Sequence, residues 1–210
     1  MARTRIIIGG IRTAESAQWA VDAGADAVGF MFVRKSSRFI EPAEAAEVMQ
    51  LLPPCVSSMA VLQNPSLEMF MDIEETCPTT HTLLAGNEPD QLVRQCEPVF
   101  KAVKFDTATI AKDLAHADGI DSIEAIVLDG LWHVGDTAFD WDTLAKIIAD
   151  VRTPVILSGD LAPENVAPAV CAVRPYAVEV SAGVERTRGE KDHELIDAFC
   201  RAVQHADIAG

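Results

Sequence analysis

Residues Pro154–Val166 read PVILSGDLAPENV, and residues Tyr176–Glu185 read YAVEVSAGVE. Each is a β-branched apolar run that stops at a Ser/Gly turn, and the first turn enters a helix through Pro163 and Glu164. In a (β/α)8 barrel the loops after strands seven and eight commonly hold a phosphate on backbone N–H groups. Small residues at Ser158, Gly159, Ser181 and Gly183 let a backbone approach such a ligand closely. Asp160 stands inside the first turn, where a carboxylate repels a phosphate.

Working outward, the same unit repeats along the chain. Apolar strands are expected at 5–8, 27–33, 56–62, 81–84, 99–105, 123–128, 154–157 and 177–180. Between them run helical patterns with apolar residues three and four apart. Thr13, Ser66, Asp140 and Asp192 are placed to cap helices, and Pro42 is placed to open one. A helix is expected from about Pro163, with Pro168 kinking it, and another over about 107–115. Eight strands that are nearly continuous apolar runs suit a parallel sheet covered on both faces. Strict eightfold alternation favours a closed (β/α)8 TIM barrel over an open doubly wound sheet. No G-x-G-x-x-G follows the first strand, so a dinucleotide site has no support.

The chain has 210 residues, 49 % of them hydrophobic, which supplies one sizeable core, so residues 1–210 are expected to form one barrel domain. A net charge of −15 argues against nucleic acid or an anionic membrane as a partner. Five widely spaced cysteines without a CxxC read as reduced core residues rather than zinc ligands or disulfides. No stretch has signal-peptide or membrane-spanning character, so the expected location is cytoplasmic.

Five stretches carry a family likeness: GIRTAESAQWAVDAGADAVGFMF (10–32), KSSRFIEPAEAAEVMQLLPP (35–54), FDW (139–141), SGDLAPENV (158–166) and VEVSAGVE (178–185), with KDHELIDAF (191–199) closing the order. The chain resembles phosphoribosylanthranilate isomerase over nearly its whole length. The resemblance implies a TIM barrel without metal or cofactor and a small-molecule substrate. It also implies an Amadori rearrangement in tryptophan biosynthesis. In that family an aspartic acid after strand six protonates the ribose ring oxygen and opens the ring to a Schiff base. A cysteine at the end of strand one then removes the C2 proton. Asp129 matches the acid, and Arg38 matches the arginine that meets the anthranilate carboxylate. The base cysteine is replaced by Gly9, and the lysine two residues before it by Ile7. The usual Asp of strand eight is Glu179, the second Gly of the strand-seven turn is Asp160, and the strand-four signature reads Leu83, Leu84, Ala85, Gly86.

Four acids are therefore expected near the barrel mouth or inner wall: Asp106, Asp129, Asp160 and Glu179. Such a group can raise a carboxyl pKa and make a new acid or base, or hold a hard cation; alternatively Asp160 and Asp106 turn into solvent. Lys104 is placed to pair with one of them, and Trp132 and His133 lie in a loop able to cover the mouth. Glycine cannot accept a proton from carbon, so Gly9 predicts that the ancestral isomerisation fails or nearly fails. The residues favour a descendant enzyme that works by acid–base chemistry on another small, sugar-like substrate, phosphorylated or not. Asp129 is its acid, with Asp160 or Glu179 as the second group. The substrate-binding set is Arg38, Ser158, Gly159, Asp160, Glu179, Ser181 and Gly183. The alternatives are a working isomerase with a substitute base and a non-catalytic binding protein on the same fold. The oligomeric state is left open.

Overall fold

The computed structural model describes residues 3–130 and 141–209. Eight parallel strands close into a barrel in sequence order: β1 (Arg5–Ile8), β2 (Ala27–Met31), β3 (Ser57–Leu62), β4 (His81–Leu84), β5 (Val99–Lys104), β6 (Ile123–Asp129), β7 (Val155–Leu157) and β8 (Ala177–Val180). The helices are α1 (Ala14–Asp22), α2 (Pro42–Met49), α3 (Leu67–Thr76), α4 (Asp90–Gln95), α5 (Ile110–Asp118), α6 (Trp141–Ile148), α7 (Val166–Val173) and α8 (His193–Ala209). This is the (β/α)8 barrel expected from the alternation.

Strand alternation sorts side chains into two compartments. Ile7, Ala27, Met59, Val61, Leu83, Phe100, Ala125, Val127, Ile156 and Ala177 fill the lumen. Their immediate neighbours, such as Ile6, Ile8, Val28, Ile126, Leu128, Leu157, Val178 and Val180, join the larger core between sheet and helices. The last strand closes on the first with Ile7 beside Glu179 and Ile8 beside Val180, and the Gly9 N–H donates to the Val180 carbonyl at 2.8 Å. By the same parity Gly9, Asp129, Ser158 and Glu179 stand one step above the lumen layer, at the C-terminal mouth.

Local signals set most boundaries. Thr13 and Ser16 make a capping box for α1, the Ser66 hydroxyl accepts from Met69 N, and Asp192 Oδ1 accepts from the N–H groups of Glu194 and Leu195. On α8, Ile196, Phe199 and Val203 are fully buried. Two helices begin later than expected. Asp106 Oδ1 accepts from Ala108 N and forms a turn that delays α5 to Ile110. Residues after Pro163 form a turn in which Asn165 N and Val166 N both donate to the Ala162 carbonyl, so α7 starts at Val166. Pro168 is then the third residue of the helix, where its missing N–H would have no intrahelical acceptor, and the expected kink does not arise. A short helix Ala182–Val184 and a hairpin of β9 (Glu185–Thr187) with β10 (Glu190–Lys191) were not legible as a pattern. Cys77, Cys96 and Cys200 are buried as expected, whereas Cys55 and Cys171 are exposed and all five are free thiols. No helix among the described residues is long and apolar enough to cross a membrane. The Asp140 cap lies outside the described residues.

Because Pro168 occupies the first turn of α7, Pro168→Ala is expected to change stability by less than about 0.5 kcal/mol. A helix-interior proline would instead yield a gain of about 3 kcal/mol. Urea denaturation of the two proteins distinguishes these outcomes.

Candidate active site

Two cavities open at opposite ends of the barrel, separated by the lumen layer. The larger, about 450 Å³, lies at the N-terminal ends of the strands and is lined by Arg5, Met59, His81, Phe100 and Tyr176 among others. The smaller, about 270 Å³, lies at the C-terminal mouth. Its floor is Val61, Leu83, Ala85, Ala102 and Val127, and its walls include Arg38, Asp129, Ser158, Gly159, Asp160, Glu179 and Ser181. The connecting loops that vary with chemistry leave the sheet at this end, so the smaller cavity is the candidate site.

Most residues expected to form the site are therefore brought together. Two are not. Asp106 is spent on the turn before α5, is exposed, and is absent from the cavity wall. Gly183 does not line the cavity either. A Cβ at that position would collide with the Leu161 carbonyl oxygen, so its role is to let the turn after β8 lie against the turn after β7. Asp160 does line the cavity; its backbone is left-handed, with φ of +48°, and its carbonyl accepts from the Asn165 side chain at 3.0 Å. Lys104 stands beside Asp129 in the β5–β6 register. Among the described residues no three His, Cys, Asp or Glu side chains are grouped to hold a metal ion. Trp132 and His133 lie outside the described residues.

Arg38 is anchored by a partner that sequence reasoning missed. Its Nε and Nη2 donate to Glu185 Oε1 and Oε2 at 2.6 and 2.8 Å. The same carboxylate accepts from Gly189 N at 3.1 Å and from Lys191 Nζ at 3.0 Å, and Lys191 also donates to the Ser181 carbonyl at 2.7 Å. Burial pushes the Glu185 carboxyl up, but the Arg38, Gly189 and Lys191 contacts outweigh it and hold it below the usual carboxylate range. The unexpected β9–β10 hairpin thus fixes Arg38 beside the cavity and ties it to the turn after β8. Only the order of residues in SAGVERTRGEK hinted at this, through an acid and a lysine six apart.

Glu179 is in the opposite situation. It is partly open to the cavity, but protein surrounds it on the other sides, and burial pushes its carboxyl above the usual range. The Ser158 hydroxyl donates to Oε2 at 2.5 Å, which with Lys191 and Arg38 opposes the rise, while Asp129 adds to it. Its other oxygen, Oε1, points at Gly9. A Cβ built on Gly9 would fall well inside van der Waals contact with Oε1 and lie 3.2 Å from Glu179 Cδ. The space that any larger side chain at position 9 would need is filled by the Glu179 carboxylate.

The sequence from 6 to 202 matches the family described as N-(5'-phosphoribosyl)anthranilate isomerase. The chain belongs to the phosphoribosylanthranilate isomerase family. The isomerase of Leptothrix cholodnii is 39 % identical, with 98 % of this chain and 93 % of that protein covered. The isomerase of Geotalea daltonii is 38 % identical, covering 93 % and 94 %. Among solved structures, the Thermotoga maritima isomerase superposes with a TM-score of 0.86 at 36 % identity, covering 96 % of this chain and 99 % of that one. A phosphoribosylanthranilate isomerase in complex with reduced 1-(o-carboxyphenylamino)-1-deoxyribulose 5-phosphate superposes with a TM-score of 0.84 at 36 % identity and the same coverage.

A carboxyl whose pKa is raised by folding stabilises fully below its unfolded value and loses that contribution as pH rises through its folded value. Glu179→Gln is therefore expected to match the wild type in acid and to become progressively more stable than it as pH rises. Urea denaturation of both proteins from about pH 4 upward measures this difference.

Proposed function

We propose that the chain isomerises phosphoribosylanthranilate to its carboxyphenylamino-deoxyribulose phosphate, the reaction of its family, rather than acting on an unrelated substrate. The observation that carries this reading is one cavity that keeps a carboxylate on each of two strands, Asp129 on β6 and Glu179 on β8. The rearrangement needs an acid at the ring oxygen and a base at C2, and the two must approach the sugar from different directions. Gly9 therefore does not leave the cavity without a proton acceptor, and the expectation of lost activity drawn from Gly9 alone is set aside.

The remaining wall suits the remaining substrate groups. Arg38, which lines the cavity with Nε and Nη2 on Glu185, is the group assigned to an anthranilate carboxylate. The turns at Gly159–Asp160 and Ser181–Ala182 border the same cavity and are assigned to a phosphate through their backbone, whereas the Ser158 N–H is spent on the Leu128 carbonyl at 2.7 Å. Asp129 supplies the proton to the ribose ring oxygen as the C1–O bond breaks.

Purified protein supplied with phosphoribosylanthranilate is expected to form the aminoketose, detected chromatographically, and the gene is expected to rescue a tryptophan auxotroph lacking the isomerase. Asp129→Asn should lower kcat by about 10²–10⁴-fold. No product from the wild type, together with no rescue, rejects the reading.

Asp160 tempers the phosphate end of the site. Asp160→Gly removes a negative charge worth about 1 kcal/mol or more of repulsion at close range, and it suits the left-handed backbone. Titration calorimetry should show tighter binding of inorganic phosphate to Asp160→Gly. Equal affinities would mean that the carboxylate does not face the bound anion.

A further inference from the structure

The cavity holds three carboxylates, and their surroundings differ. Asp160 sits in the turn after β7, at the rim, where its backbone is tied to Asn165. Asp129 ends β6. Glu179 lies one residue before the end of β8, at inward parity and directly above the apolar lumen layer. Its carboxylate is held from one side by the Ser158 hydroxyl and projects its second oxygen across the β1–β8 seam to the face of Gly9. No side chain at position 9 separates that oxygen from the cavity, because both residues line it.

We propose that Glu179 is the base that removes the C2 proton, its carboxylate standing in the space that a side chain at position 9 would otherwise fill. This rests on the isomerase reading above. The exchange is reciprocal. A glutamate on strand eight reaches across the seam, where the shorter Asp that the family resemblance implies would stop one methylene short, and glycine at position 9 leaves its carboxylate unobstructed. Once the ring has opened to the protonated Schiff base, Glu179 Oε1 takes the proton from C2. The C2–H electron pair becomes the C1–C2 double bond, and the carbon–nitrogen π pair returns to nitrogen as a lone pair. The neutral enolamine then becomes the aminoketose by gaining a proton at C1 and losing the one on the C2 oxygen. Ser158 keeps one carboxylate oxygen occupied and so orients the other. A base in a cavity with an apolar floor is also more basic than one in water, as the direction of the Glu179 shift agrees.

The test compares kcat, KM and binding of the reduced carboxyphenylamino-deoxyribulose phosphate in four proteins: wild type, Glu179→Gln, Glu179→Asp, and the double variant Gly9→Cys/Glu179→Asp. Glu179→Gln is expected to lose about 10²–10⁴-fold in kcat while KM and affinity for the analogue stay within a few-fold of wild type. The rising limb of the pH–kcat profile should vanish with it. Glu179→Asp withdraws the carboxylate from Gly9 and should also be slow. Adding Gly9→Cys to it places a thiol in the vacated space, and should restore activity that iodoacetamide then abolishes, whereas the wild type resists the reagent. Retention of kcat by Glu179→Gln in a protein whose wild type is active overturns the base and leaves the isomerase reading standing. An inactive wild type overturns the isomerase reading and the base with it. Loss of analogue binding along with kcat would mark Glu179 as structural, and a double variant no faster than Glu179→Asp would show that the space at position 9 is not where the base acts; either result overturns the proposal. That last comparison decides the matter even if Glu179→Gln does not fold.

Discussion

The β1–β8 seam is the constraint on which the site depends. Four consecutive residue pairs, Arg5 with Ala177 through Ile8 with Val180, close the sheet on itself. Parallel strands have a side-chain period of two, so a slip of one residue at this seam would turn Glu179 out of the lumen and into the helix layer. The lumen layer forbids that slip. Ile7 and Ala177 are inward and buried, while Ile6, Ile8, Val178 and Val180 are buried against the helices on the other face. Both faces are apolar, yet only one register places the small Gly9 against the large acid.

Around that seam the protein treats its carboxylates in contrasting ways. Glu185 is nearly inaccessible and fully answered, with Arg38 and Lys191 both on it. Glu88 is similar. Its side chain is buried, accepts from the N–H groups of Asn64 and Gly86, and pairs with Lys101 at 2.8 Å. Burial opposes ionisation of Glu88, but these partners outweigh it and keep its carboxyl low. These acids knit the turns at the mouth and are held ionised. Among the described residues Glu179 receives one hydroxyl and no direct cation. Burial therefore prevails over the Ser158 hydrogen bond and the more distant Lys191 and Arg38, and holds the Glu179 carboxyl above the usual range, the reverse of Glu185 and Glu88.

Several features of the site were legible from residues alone. Asp129 closes the apolar run IVLD and was bound to emerge at the mouth of whatever parallel sheet formed. The Ser/Gly turns after β7 and β8 announced themselves by composition. Other features depended on hydrogen bonds and a close backbone contact that no pattern encodes. Asp106 sits at a strand end just as Asp129 does, but Ala108 N two residues later captures its carboxylate. Gly183 reads as a phosphate glycine, yet it is small because the Leu161 carbonyl lies against it. Pro168 reads as a kink only if the helix starts at Pro163, and the Ala162–Val166 turn moves that start. Two of these are turns closed by hydrogen bonds within four residues, and the third is a backbone contact between two neighbouring loops.

By itself the sequence determined the barrel, because eight alternating apolar strands and amphipathic helices have few ways to bury both faces of a parallel sheet. It also pointed to the family and showed a glycine at position 9, where the resemblance implies a thiol. It could not determine what Gly9 means. Read along the chain, Gly9 is a deletion of chemistry, and Glu179 is a conservative change of one acid for another. Residues 9 and 179 become neighbours only through closure of the barrel, and only then does the Glu179 carboxylate come to lie against Gly9. That relation is a matter of distance across a seam, which the order of residues does not contain.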